Sequence, residues 1–425
     1  MKSAHLKSFP ETFPGQVYLV GGAVRDKLLG IKSKDKDWVV VGATEQDMLE
    51  LKFEKVGQDF PVFLHPDTKE EYALARTERK SGSGYYGFIC DSSPSVSLEE
   101  DLSRRDLTIN ALAYSDAGQI VDPYGGQQDL EDKILRHVSP AFSEDPLRVL
   151  RVARFAARFA HLGFSIAPET LGLMRELSCS GELLKLNAER IWQETERALG
   201  ELSPWIYFET LQQCEALKAI MPELNALFGV PQPEQHHPEI DTGLHALLSL
   251  KAASKLSKET SVRFAALIHD LGKGLTPMQA WPSHHGHEKK GLKPIKVLCK
   301  ALKAPNVHTK LSLLSSEYHT HVHRAFELKP ETVLKVIKAL DAFRRPEQFE
   351  QFLLVCKADA QGRTGLEETD YPQAAYFRNA LEPCKAVDIR PLREAGLEGK
   401  ELGAAIDQAR VANLAAYKRQ ALEHI

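Results

Sequence analysis

No apolar stretch in the 425-residue chain approaches the ~20 residues that a membrane-spanning helix needs. Cysteine is sparse: six residues, at 90, 179, 214, 299, 356 and 384, and never as CxxC. That excludes a disulfide framework or a zinc ribbon and suits free thiols in a reducing cytosol. The opening MKSAHLKSFPETFPGQ lacks an apolar h-region, so no secretory signal is expected and the chain reads as cytoplasmic, with no membrane partner. Net charge is small as well. The 54 Lys and Arg against 58 Asp and Glu leave −4, which counts against a protein that coats nucleic acid indiscriminately but allows local positive charge. Repeats and low-complexity tracts are absent. What remains is an ordinary globular composition, 43% apolar and 26% charged, at a length that suggests roughly two to four domains.

Texture changes along the chain. Residues 1–16 read as a loose extension. Short β-rich runs follow: VYLV at 17–20, DWVVVG at 37–42, PVFLH at 61–65, EYALAR at 71–76 and INALAYS at 109–115, with helical patches VRDKLLG and TEQDMLELK between them. This predicts an α+β fold class, with a small mixed-sheet head over 17–140. Beyond Ser143 strand signals nearly vanish, and DPLRVLRVARFAARFAHLGF and AERIWQETERALGEL have helical period. An all-α neck over 141–228, a second helical domain over 229–345 and a helical tail over 346–425 are expected. GVPQPEQHHPEID at 229–241, rich in Pro and His, is the best linker candidate.

Two groups of residues carry chemistry. In VYLVGGAVRDKLLG an apolar strand runs into Gly21-Gly22 and a helix bearing Arg25. Such a turn lets backbone N–H groups and a helix N-terminus approach a phosphate, and a guanidinium adds a charge-assisted bond; a plain tight turn is the alternative. Asp35 and Asp37 take alternate positions at the start of DKDWVVVG. Both carboxylates then share one strand face, where hard oxygen ligands suit Mg²⁺ shared with substrate phosphates; a solvated, lysine-rich turn is the alternative. Asp145 and Arg148, three apart, are expected on one face of a helix. Arg148, Arg151, Arg154 and Arg158 fall within roughly a 120° arc of it.

Taken in order, LVGGAVRDKLLG with DKD, RRDLTINALAY at 104–114, DPYGGQQDL at 122–130 and EDPLRVLRVARFAAR at 144–158 resemble the nucleotidyltransferase superfamily. The branch is that of class II tRNA nucleotidyltransferases and bacterial poly(A) polymerases. The whole chain is similar to bacterial CCA-adding enzymes that carry an HD domain. The resemblance implies that Asp35 and Asp37 hold Mg²⁺ at the α-phosphate of CTP or ATP, and that Gly22, Arg25 and Arg105 contact the triphosphate. It implies that Asp145 and Arg148 select C and A, with Arg151 and Arg154 also at nucleotide-binding positions, and that tRNA is the acceptor. Without it, Arg105 reads equally well as a salt-bridge partner of Asp101 or Asp106. TERKSGSGYYGF at 77–88 is Gly- and Ser-rich, as a mobile loop should be. The mixed-charge C-terminal segment and the second domain favour the CCA-adding reading over poly(A) polymerase; a phosphohydrolase with a nucleotide-binding head is a further alternative.

The second group is histidine. Eleven of 16 lie between 236 and 323. His269-Asp270 in RFAALIHDLGKG resembles the HD phosphohydrolase motif, which implies His245 as first and Asp359 as last ligand of a metal held with His269 and Asp270. His284, His285 and His287 form an accessory loop group. Imidazole and carboxylate suit Ni²⁺, Mn²⁺, Co²⁺ or Zn²⁺ better than Mg²⁺; with the resemblance, Ni²⁺ is the ion expected. The activities implied are phosphatase, 2′-nucleotidase and 2′,3′-cyclic phosphodiesterase. A monomer or weak homodimer is expected.

Overall fold

The computed structural model describes residues 9–10, 12–33, 36–56, 61–80, 88–235 and 237–423. Asp35 and all of residues 81–87 therefore lie outside the described residues. The chain divides into two compact units, Met1–Glu194 with Thr210–Ile220, and Thr195–Glu209 with Met221–Ile425.

The first unit is built on β1 (Gln16–Val20), β2 (Asp37–Val41), β3 (Glu54–Lys55), β4 (Val62–Leu64) and β5 (Glu71–Leu74). A hairpin of β6 (Thr77–Lys80) and β7 (Phe88–Asp91) stands apart as its own sheet, and β8 (Ala113–Ser115) and β9 (Ile120–Val121) complete the main one. The main sheet has the order β3-β4-β5-β2-β1-β8-β9. It is antiparallel except at the β2–β5 pair, which the Glu45–Glu50 helix helps to connect. Both faces are covered. Trp38 and Val40 lie in one cluster with Met48, Phe63 and Tyr72; Val20 and Val39 lie in another with Leu102, Ala111 and Ala113. Each large apolar side chain buried there contributes about 1.5–3 kcal/mol, enough for β2 to hold its register with Asp37 opposite Val20.

Two expectations fail here. INALAYS is not one strand: Thr108–Asn110 forms a 3₁₀ turn and only Ala113–Ser115 pairs. The Thr108 hydroxyl donates to Asp129 (2.6 Å) and the Asn110 amide to Asp106 (2.9 Å), and these polar anchors override the apolar pattern. The flanks of the glycine-rich 77–88 segment are the β6–β7 ladder, not loop.

The second unit is helical, as expected. Thr242–Leu256, Thr260–Ile268, Asn306–His323 and Pro346–Gln361 pack on one another around Ala252, Ala265, Val322, Phe352 and Val355. Residues 229–241 do not behave as a free linker. Pro231 bridges to Asp241, and Gln232 and His237 are buried.

Candidate functional site

In the first unit β1 ends at Val20 and runs into Gly21, whose N–H donates to the Leu112 carbonyl. Its φ of 68° is a left-handed conformation that glycine adopts without penalty. The helix that follows, Gly22–Leu28, is only seven residues, so positive charge here comes chiefly from guanidinium groups rather than from a helix dipole. Gly21, Gly22, Arg25, Asp37 and Arg105 share a cleft of about 540 Å³ with Asp145, Arg148, Arg151, Arg154 and Arg158. Nine arginines and four carboxylates line it among the described residues.

Each cation is held in place. Arg25 pairs with Asp26 (2.6 Å), donates to Asn110 and lies 5.0 and 5.2 Å from the centres of the Phe159 and Phe155 rings. Arg105 pairs with Asp101 (3.3 Å), one of the alternatives that the sequence left open, while its buried Nε has no hydrogen-bond partner. Arg151 pairs with Asp106 (2.7 Å), Arg154 with Glu194 (2.6 Å) and Arg158 with Asp26 (3.1 Å). Burial alone would push the Asp106 carboxyl up, but Arg151 and the Asn110 amide outweigh it and hold the group well below the carboxylate range. Arg148 donates to the carbonyls of Ala141 and Arg104, both at 2.6 Å.

Asp145 departs from expectation. The helix runs Leu147–Phe159, so Asp145 precedes it in extended conformation. Its Oδ1 accepts from the Leu147 N–H (3.1 Å), while Oδ2 pairs with Arg190 (3.0 Å). Pro146 explains this, because the residue before proline is pushed out of the α region.

In the second unit His245, His269, Asp270 and Asp359 come together. His245 Nε2 lies 3.1 Å from Asp359 Oδ1; His269 Nε2 lies 3.4 Å from both Asp359 Oδ2 and Asp270 Oδ2. All four are almost fully buried. His269 Nδ1 donates to the Ala266 carbonyl (2.8 Å), which turns Nε2 inward, and that atom and Asp270 Oδ1 have no hydrogen-bond partner. Burial alone would favour a neutral His269 ring, yet Asp270 and Asp359 push it up to about 10. Two sequestered carboxylates demand positive charge, and a divalent ion supplies what the His269 proton otherwise would. The donor set thus fits a metal.

Three comparisons bear on both sites. Family models match for the poly A polymerase head domain over residues 17–136, the probable RNA and SrmB-binding site of polymerase A over 163–228, and the HD domain over 242–345. A multifunctional CCA protein of Hahella chejuensis is 59% identical over 404 residues, covering 95% of this chain and 96% of that one. Another from Teredinibacter turnerae is 58% identical, covering 96% and 100%. The chain belongs to the multifunctional CCA protein family. Solved structures agree in fold: a CCA-adding enzyme in apo form II matches with a TM-score of 0.64 at 20% identity, covering 97% of this chain and 92% of that one. The Thermotoga maritima CCA-adding enzyme complexed with tRNA matches with 0.63 at 20%, covering 96% and 91%.

Within this CCA protein family member, several neighbours of the expected residues went unread in the sequence. Arg190 and Glu194, four apart on the Ala188–Gly200 helix, hold Asp145 and Arg154. His319 and His323 show the same spacing on Asn306–His323. The Tyr371 hydroxyl donates to His323 Nδ1 (2.8 Å), and Nε2 donates to Asp359 (2.6 Å). Glu239, within the supposed linker, lies 2.9 Å from His245 Nδ1. Lys273 pairs with Asp270 Oδ2 (2.6 Å). Of the accessory histidines only His287 reaches the cluster. His284 is taken up by Thr276 and the Pro231 carbonyl, and His285 is exposed. Among the described residues no helix is long and apolar enough to cross a membrane.

Proposed function

We propose that this chain adds and repairs the 3′-terminal C-C-A of tRNA from CTP and ATP, releasing pyrophosphate, and that its second unit hydrolyses phosphoesters at RNA 3′ ends. The observation that carries the first part is the arginine-lined cleft with Asp37 in its lining, opposite Val20 beside the Gly21 turn. Relatives named multifunctional CCA protein, and solved CCA-adding enzymes in complexes with CTP, ATP and tRNA, support the substrates.

Asp35 and Asp37 would hold Mg²⁺, which would supply activation of the tRNA 3′-hydroxyl and offset charge gathering on the α-phosphate. Arg25 and Arg105, immobilised by Asp26 and Asp101, take the β- and γ-phosphates and stabilise departing pyrophosphate without reorganising. Asp145 accepts from the exocyclic amine shared by cytosine and adenine, and Arg148 donates to the ring acceptor beside it. Arg190 keeps that carboxylate aimed. Arg151 and Arg154 border the same pocket and orient the nucleotide.

In the second unit His245, His269, Asp270 and Asp359 would hold a transition metal, Ni²⁺ as first choice, which would supply a polarised water for attack on phosphorus. His323 Nε2, 2.6 Å from Asp359 Oδ2, orients that carboxylate from behind. The activities expected are phosphatase, 2′-nucleotidase and 2′,3′-cyclic phosphodiesterase.

The test is a tRNA truncated at its 3′ end, incubated with the protein, Mg²⁺ and all four nucleoside triphosphates. Sequencing should find growth that stops after C-C-A. A long A tract would instead identify a poly(A) polymerase.

A further inference from the structure

One stretch of the second unit carries charge of a single sign. From 289 to 316 the chain has seven lysines and no Asp or Glu, although acids outnumber bases in the whole sequence. Lys289, Lys290, Lys293, Lys296, Lys300 and Lys303 follow one another closely there, and all six are exposed.

The helix Leu292–Leu302 displays them. Pro294, Ile295, Leu298, Cys299 and Leu302 form its buried side. At about 100° per residue, Lys293, Lys296 and Lys300 fall within about 60° of arc on the other side. Gly291, which joins this helix to His287–Lys290, is itself helical (φ −63°, ψ −24°), so Lys289 extends the row towards His287. Two glycines fix where the row begins. A Cβ at Gly291 would lie 2.5 Å from Ser316 Oγ, and one at Gly272 would lie 2.0 Å from the His287 carbonyl oxygen. The start of the row is thereby seated beside the His269-Asp270 turn, with His287 Nε2 3.2 Å from Asp270 Oδ1.

Among the described residues Lys289, Lys293, Lys296 and Lys300 form no ion pair, whereas Arg151, Arg154 and Arg158 of the first unit are each held by a carboxylate. Like charges three or four positions apart on a helix repel. The row therefore works against the stability of its own helix and answers to an anion outside the chain. From Lys289 to Lys300 it runs about 16 Å, further than one nucleotide reaches. A run of phosphates spans that length, and lysines that neutralise it gain affinity by releasing counterions.

We propose that this lysine row docks RNA, taking the phosphate backbone of the tRNA strand that leads to the 3′ end on which the histidine–aspartate cluster acts. This rests on the phosphohydrolase reading of the second unit and deepens it, because the row distinguishes an RNA end from a free nucleotide.

The test compares the full-length protein with a triple variant, Lys293→Gln, Lys296→Gln and Lys300→Gln, glutamine being a comparable helix former. The substrates are a tRNA ending in a 2′,3′-cyclic phosphate and free 2′,3′-cyclic CMP. Filter binding of the same tRNA over a salt series and circular dichroism melting accompany the kinetics. For tRNA, KM and Kd should rise at least about tenfold and the slope of log Kd against log salt should fall by about 2–3. Hydrolysis of cyclic CMP and kcat on tRNA should stay as they were, and the melting temperature should not drop. A control carrying Lys258→Gln, Lys329→Gln and Lys335→Gln removes equal charge from other exposed positions of the second unit and should leave the tRNA values in place. Unmoved tRNA values in the folded triple variant, an equal effect in the control, or a parallel loss of cyclic CMP hydrolysis would each overturn the proposal. So would unmoved tRNA values with lost binding to phosphatidylserine vesicles, which would assign the row to an anionic lipid surface. If the parent protein hydrolyses neither substrate, the phosphohydrolase reading fails, and the binding series decides the row by the same criteria.

Discussion

At the end of β1 the left-handed Gly21 lets the Arg105 guanidinium rest against the backbone: a Cβ there would lie 2.8 Å from Arg105 Nη1. Gly21→Ala therefore combines two faults. The left-handed backbone costs an alanine about 1–2 kcal/mol, and the cation nearest the turn must move. A lower melting temperature and a KM for CTP raised about tenfold, equivalent to ~1.4 kcal/mol, are expected from thermal melts and steady-state incorporation. Unchanged values of both would show that Arg105 does not serve the nucleotide. The glycine pair was legible as a turn in the sequence, but its reason was not. Arg105 approaches from a segment some eighty positions away, and its pairing with Asp101 is a tertiary fact.

Among the elements, the Leu147–Phe159 helix shows how far periodicity reaches. Its spacing identified the arginines at 148, 151, 154 and 158 as one face, and all four line the cleft. Spacing did not reveal what holds them, because Asp26, Asp106 and Glu194 come from three other segments. Nor did it show that Asp145 precedes the helix, although Pro146 signalled it. In the second unit, His269-Asp270 was legible as a dipeptide. His319 and His323 were hidden in a helix whose sequence NVHTKLSLLSSEYHTHVH has no clear apolar stripe. The Arg154–Glu194 pair is the sharpest place to test an element-level role, since both side chains are less than a tenth exposed. Glu194→Gln keeps the shape and removes the charge. A loss of roughly 1.5–3 kcal/mol, seen as a melting temperature lower by about 3–12 °C, should accompany a raised KM for both CTP and ATP. A stability loss with KM unmoved would make Glu194 a structural partner only.

For the whole molecule, a net charge of −4 and a nucleic-acid substrate are reconciled by where the charge is placed. The first unit gathers nine arginines around one cleft, so attraction is local and surface-wide adhesion to RNA is not needed. The second unit gathers imidazoles and carboxylates in a buried cluster whose donors could hold a metal ion. One chain thus carries two chemistries on two sets of residues, and the central claim is that they are separable. The direct measurement assays Asp37→Ala and His269→Ala side by side for CMP and AMP incorporation into truncated tRNA and for hydrolysis of a 2′,3′-cyclic nucleotide. Asp37→Ala should lose incorporation by at least about a thousandfold, a scale typical of removing an electrostatic catalytic group, and keep hydrolysis; His269→Ala should do the reverse. Loss of both activities in either folded variant, or incorporation that survives Asp37→Ala, would contradict the account.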